Sequence, residues 1–252
     1  PNALHADSTE PVQEEMSQNT ELEYSQETTL DTGKPILLIV EDNEEIQKYI
    51  VESFTDSFEV ITANNGEEGT QQALSRIPDI VVSDIMMPVM DGITLCKQLK
   101  DDVRTSHIPI ILLTAKDSLQ DKEEGYEVGA DSYLTKPFSA SLLRSRINNL
   151  LDSRKKLVAQ FQAQSTPGNQ IDLSEKRIVI AEALSKLDNE FIEKITLLIE
   201  ENLSSEKIDI NYLSDKMCMS GSTLYRKMKA LTGLSTNEYI RKVKMQNAER
   251  LL

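Results

Sequence analysis

Five short apolar runs, each followed by a stretch with helical spacing, constrain this chain more than any other feature. "PILLIV" (35–40), "FEVITA" (58–63), "DIVVSD" (79–84), "IPIILLTA" (108–115) and "DSYLTKP" (131–137) have strand length, and most lack polar–apolar alternation. The stretches after them, "NEEIQKYIVESF", "GEEGTQQALSRI", "GITLCKQLKDD", "SLQDKEEGYEVG" and "SASLLRSRINNLL", read as helices. The first should turn Ile46, Tyr49, Ile50 and Phe54 inward, and the second Leu74 and Ile77. Unalternating strands are apolar on both faces, so both faces must be covered. Strand and helix in strict turn therefore predict a parallel sheet between two layers of helices.

In an open parallel sheet, ligands gather at the carboxyl ends of the strands. There the sequence sets Glu41 and Asp42 after the first strand, Asp84 after the third, Thr114 at the fourth and Lys136 after the fifth. Three carboxylates at one pole repel each other unless a hard cation sits among them, and Mg²⁺ takes such oxygen ligands together with water. With a lysine ammonium and a threonine hydroxyl added, the pole suits a phosphoryl group, and one carboxylate can attack phosphorus in line. Asp84 is the best placed nucleophile, since it ends a central strand, while Asp42 is better placed to hold metal.

"LIVEDN", "SDIMMPVMDG", "LLTA" and "GADSYLTKPF", in this order and spacing, resemble the motifs of bacterial response-regulator receiver domains over roughly residues 35–152. The resemblance implies a flavodoxin-like doubly wound α/β fold of strand order 2-1-3-4-5. It implies that Asp84 accepts phosphate from a histidine kinase, and that Asp42, Asp84 and the Met86 backbone carbonyl bind Mg²⁺ with Glu41 acting through water. Thr114 and Lys136 would contact the phosphoryl oxygens, and Tyr133 would turn inward as Thr114 is drawn to the phosphate. That would reshape the face made by the fourth helix, fifth strand and fifth helix and favour a homodimer. Lys136-Pro137 would be cis. Glu41 departs from the aspartate of many receivers, but its longer arm still supplies an oxygen. Such a domain catalyses its own phosphorylation and is no stand-alone enzyme.

From 188 onward the pattern is purely helical. "INYLSDKMCMSGSTLYRKMKALTG" reads as helix, tight turn, helix, with Leu213 and Met217 buried on the first and Leu224, Met228 and Leu231 on the second. Ser222, Arg226 and Lys229 would then face outward, flanked by Tyr225 and Thr223, as on a helix that enters a major groove. Ser235 and Glu238 form a capping box opening a last helix, whose Ile240, Val243 and Ala248 should turn inward. Order and spacing resemble the first half of an AraC-type DNA-binding domain. Carried over, Ser222, Tyr225 and Arg226 would approach bases, and Lys227 and Lys229 would meet phosphate. The rival reading makes the helical tail a protein-docking or dimerisation module.

Charge is unevenly spread. The net charge is −15, yet residues 216–252 hold eight lysines and arginines against two acids, while residues 1–34 hold eight acids against one lysine. An acidic chain with a basic end remains compatible with nucleic acid. The expected organisation is a flexible acidic linker (1–33), a receiver (34–152), a connector (153–187) and the first half of a DNA-binding domain (188–252). Pro1 in place of Met suggests an excised piece, as at the C-terminal end of a hybrid sensor kinase. No apolar run approaches the ~20 residues that span a bilayer, so a cytoplasmic fragment without membrane contact is expected. Two histidines nearly exclude a histidine-rich zinc site or a Ser-His-Asp triad. Cys96 and Cys218 read as buried, reduced thiols on helices.

Overall fold

The computed structural model describes residues 33–115, 129–163, 185–203 and 208–251. Strands β1 (Ile36–Val40), β2 (Glu59–Ala63), β3 (Ile80–Asp84), β4 (Ile110–Thr114) and β5 (Ser132–Thr135) form one sheet in the order 2-1-3-4-5, with every pairing parallel. This is the predicted doubly wound fold. The three central strands, β1, β3 and β4, are buried at all five positions, as continuous apolar runs require.

Successive side chains on a strand point to opposite faces, so each central strand feeds two cores. Leu38, Val40, Val81, Ile110 and Leu112 pack on one face with helices α2 (Gly66–Arg76) and α3 (Gly92–Asp101). Leu37, Ile39, Ile80, Val82, Ile111 and Leu113 pack on the other with α1 (Glu44–Phe54) and α4 (Ala140–Ala163). The helix starts are set by side chains that satisfy unpaired backbone N–H groups. Asn43 accepts from Glu45 and Ile46, Asn65 from Glu68, and Asp91 from Thr94.

Three inward positions outside the last helix differ from the pattern. On α2 the fully buried residue is Ala73, with Gly69 pressed on Val40, whereas Leu74 is only half-buried. Small residues let this helix lie close to the sheet, which tilts the buried face away from Leu74. On α1, Tyr49 is 46% exposed, and its hydroxyl accepts the Ala140 N–H that opens α4. The tyrosine serves a helix end instead of the core. Cys96 is buried, but Cys218 is exposed in the left-handed residue that ends a helix, φ 54°. The expected helix at 118–129 lies outside the described residues except for Gly129, as do residues 164–184 of the connector.

The C-terminal part is helical, as expected: α5 (Lys186–Glu200), α6 (Ile210–Met217), α7 (Gly221–Thr232) and α8 (Thr236–Leu251). Ser220 caps α7, and Gly233 ends it at φ 71°. The Ser235–Glu238 capping box is present in both directions, at 2.7 and 3.2 Å. Leu213, Leu224, Met228 and Leu231 are buried as the periodicity requires. Ala248 is exposed instead of inward, although α8 meets α5 both near its start, where Tyr239 hydrogen-bonds Thr196, and at Asn247, which donates to Glu200. No described helix is long and apolar enough to cross a membrane.

Candidate functional site

At the carboxyl ends of the strands, carboxylate oxygens of Glu41, Asp42 and Asp84 all lie within 4.8 Å of one another. Glu41 is 1% exposed and Asp84 9%, whereas Asp42 is open to solvent. The Lys136 ammonium stands between the two buried acids, 2.7 Å from Glu41 and 3.0 Å from Asp84. Burial pushes the Glu41 carboxyl above the ordinary carboxylate range; the Lys136 hydrogen bond opposes this, and the Asp84 charge adds to it. Lys136 thus pairs with two of the three acids. The set is all oxygen and strongly negative, which suits a hard divalent cation and ill suits zinc or copper.

Asp84 is held from several sides. Its Oδ1 accepts the Ile85 N–H at 2.9 Å, its backbone carbonyl accepts the Ser83 hydroxyl at 2.8 Å, and Gly92 N–H donates to the next carbonyl, Ile85. This leaves Oδ2 for Lys136. A Cβ on Gly92 would stand 2.0 Å from the Asp84 carbonyl oxygen, so the helix start is pressed on the strand end. Gly92→Ala is expected to force the two apart and to cost about 2–3 kcal/mol, the upper range for overpacking, read from the midpoint of urea unfolding.

The "MMP" loop exposes Met86 (71%) and tucks Met87 partly against the core. Val89, in the same loop, takes a left-handed backbone at φ 68°, an uncommon state for a β-branched residue. Thr114 is buried, and its hydroxyl donates to the Ala115 carbonyl at 3.1 Å. Tyr133 is half-buried against the core face of α2 and α3. The Lys136-Pro137 peptide is cis.

Two residues of this pole carry no signature of their own in the sequence. Gln47, one turn into α1, directs its amide nitrogen to the Glu41 carbonyl (3.1 Å), the Ala63 carbonyl (3.3 Å) and Asn64 Oδ1 (3.3 Å). It ties the acid-bearing loop to the end of β2. Its only prior signal is a polar residue on the strand-end side of an amphipathic helix. Gly92 reads in the sequence as half of an Asp-Gly turn, without hint of its press on Asp84.

On α7, Tyr225 (43%) and Lys229 are exposed, while Ser222 and Arg226 are half-buried. Lys227 departs from the expectation. It is 0% exposed, its ammonium 2.6 Å from Asp188 and 3.0 Å from the Ser106 hydroxyl. Its position one residue before Met228 turns it toward the packed side of α7, where it has no access to phosphate.

Residues 37–148 match the family model of the response regulator receiver domain. A protein named histidine kinase P4, from Formosa agariphila, is 34% identical over 220 residues, which cover 87% of this chain but only 15% of that relative. "Probable transcriptional regulator ycf29" of Pyropia yezoensis is 31% identical over 208 residues, 80% of this chain and 92% of its own length. The solved chemotaxis response regulator CheY4 of Vibrio cholerae is 32% identical, covers 46% of this chain and 98% of its own, and superposes with a TM-score of 0.44. The chain spans 10–15% of the histidine kinases it resembles in Formosa agariphila and Dictyostelium discoideum. Fold, acid cluster and sequence agree, and through residues 37–148 this chain belongs to the response regulator receiver family.

Proposed function

We propose that this chain is a phosphorylation-dependent transcription regulator, with Asp84 as the phosphoacceptor and a histidine kinase as donor. One observation carries the reading: Lys136 bridges Glu41 and Asp84 at the pole where Asp42 and Asp84 also meet. Asp42, Asp84 and the Met86 carbonyl are the groups that would hold Mg²⁺, with Glu41 reaching it through water. Bound there, the ion would neutralise the acids and the incoming phosphoryl oxygens. The Ile85 N–H holds Asp84 Oδ1, which leaves Oδ2, beside Lys136, as the atom that would attack in line. Lys136 stays beside that oxygen and would pair with the phosphoryl group after transfer. Thr114, buried one strand away, would supply a hydroxyl to another phosphoryl oxygen once it turns from Ala115. Tyr133 would follow inward, and the altered face would favour a homodimer.

The basic helices α7 and α8 are then the output, reading DNA through Ser222, Tyr225, Arg226 and Lys229 in the manner of an AraC-type half-domain. Support comes from the exposure of Tyr225 and Lys229 and from the excess of cations after residue 215. The relatives named as histidine kinases fit a chain whose donor lies in the same full-length protein, and such a protein would work with this part in the cytoplasm. The rival reading, in which the helical tail docks protein instead, gains from the burial of Lys227.

Treatment of the chain with acetyl phosphate and Mg²⁺, followed by peptide mass spectrometry, tests the first half. Phosphate should appear on Asp84 only with the ion present; a label at any other carboxylate overturns the site. Mobility shift of a DNA library at rising salt tests the second. Salt-dependent binding is expected, and its complete absence at low salt favours docking.

A further inference from the structure

Asp188 and Lys227 are a carboxylate and an ammonium taken almost wholly out of water, at 2% and 0% exposure. Such a pair is tolerated only when further hydrogen bonds fill out its shell. Part of that shell comes from α5, where Lys227 lies 5.0 Å from the Phe191 ring. The rest comes from the receiver. The Ser106 hydroxyl, in the loop between α3 and β4, donates to Asp188 Oδ1 at 2.7 Å and accepts from Lys227 at 3.0 Å. Ser106 is 82 residues from Asp188 and 121 from Lys227 along the chain, so this is a tertiary joint between the sheet domain and the helical segment.

The loop that presents Ser106 is itself braced. Lys100 donates to the Ile108 carbonyl at 2.9 Å and to Asp131 at 2.7 Å, and Thr105 donates to the Leu99 carbonyl at 2.8 Å. His107, beside Ser106, is fully packed, and burial first, then the Lys227, Arg154 and Lys100 charges, hold its pKa well below the ordinary value. It is a neutral wall at the joint. A second contact lies at the far end of α7. There Gln162, on the long helix α4 that follows β5, donates to the Thr232 carbonyl at 3.2 Å. Val158 and Gln162 lie so close to Gly233 that a Cβ there would meet them at 2.5 and 2.4 Å. Helix α7 is thus held by the receiver at its middle and, at its C-terminal end, by the part of α4 that runs on beyond the receiver.

We propose that the receiver's α3–β4 loop, through Ser106, and the last turns of α4 form a docking surface for helix α7, and that the docked state withholds Lys227 from nucleic-acid phosphate. The second clause rests on the reading of α7 as a DNA helix; the first does not. In the docked state α7 offers DNA only Tyr225, Arg226, Lys229 and the residues around its N-terminus. Release from the loop would open the shell of the ion pair to water and return a cation to the basic surface.

The test uses the whole chain and no DNA, so it stands or falls apart from DNA recognition. Brief acetylation with an amine-reactive reagent, mapped by mass spectrometry, should modify Lys227 at least roughly 10-fold more slowly than Lys229 on the same helix, as burial requires. Equal rates overturn the docked state. A thiol placed by Ser106→Cys should resist maleimide while exposed Cys218 reacts. It should become reactive when Lys227→Glu is added, because two acids then face each other in the joint. If helix α7 unfolds in that double variant, its departure uncovers the same loop and the same result is expected. A thiol at 106 that reacts freely in the single variant, or stays protected in the double, refutes the surface.

Discussion

Asp84→Asn should abolish phosphate uptake, slowing incorporation from acetyl phosphate by roughly 10³-fold or more, while leaving the fold intact. The reason is chemical. The attacking atom must carry an electron pair that a neutral amide oxygen offers poorly, and the amide cannot be the charged partner of Lys136. The other acids are poorly placed to take over: Glu41 is buried and already 2.7 Å from Lys136, and Asp42 is exposed in the loop after β1, whereas Asp84 is oriented by the Ile85 N–H. Stability should not fall, because the change removes one of three carboxylates that repel each other at this pole. Phosphate on the variant counted by mass spectrometry, beside a urea melt, separates the two effects. Uptake at the wild-type rate would show that the phosphoacceptor is elsewhere.

The sheet was legible because it is built by a rule that acts locally. A strand buried on both faces must be apolar throughout, so "ILLIV", "IVVSD" and "IILLT" announce themselves, and parallel order then brings their ends to one pole. Glu41, Asp42, Asp84 and Lys136 could be collected from sequence for the same reason. What was not legible depends on contacts between distant segments. No periodicity separates Tyr49, which serves the start of α4, from a core aromatic, since both sit on the apolar side of α1. Gly92 differs from any turn glycine only by a carbonyl packed against it. Lys227 is the sharpest case. Helical spacing puts Lys227 on the face of Leu224 and Met228, yet sequence gives no sign of the aspartate, 39 residues away, that pairs with it there. Buried ion pairs hide in sequence because each member looks like an ordinary surface charge.

Lys227→Met is expected to destabilise the helical segment by about 3–5 kcal/mol, the range for breaking a buried pair from one side. Burial lowers the pKa of Lys227, and the nearby Asp188 carboxylate counters most directly by holding the ammonium charged. Removing the ammonium leaves the Asp188 carboxylate, at 2% exposure, with the Ser106 hydroxyl and the Arg154 charge nearby. Methionine fills nearly the same volume, so little of the loss comes from packing. It also removes the cation from the Phe191 ring, which adds a smaller cost of about 1 kcal/mol. Lys227→Met with Asp188→Leu should recover most of the loss, to within about 1–2 kcal/mol of wild type, because neither member of the pair is then left without the other. The Ser106 hydroxyl would still lack both partners, which is why recovery stops short. Urea unfolding followed by the helical circular-dichroism signal, with hydrogen exchange of α5 and α7 to identify what melts, gives all corners of the cycle. A single variant that costs under about 1 kcal/mol would mean that water already reaches the pair, as at exposed salt bridges.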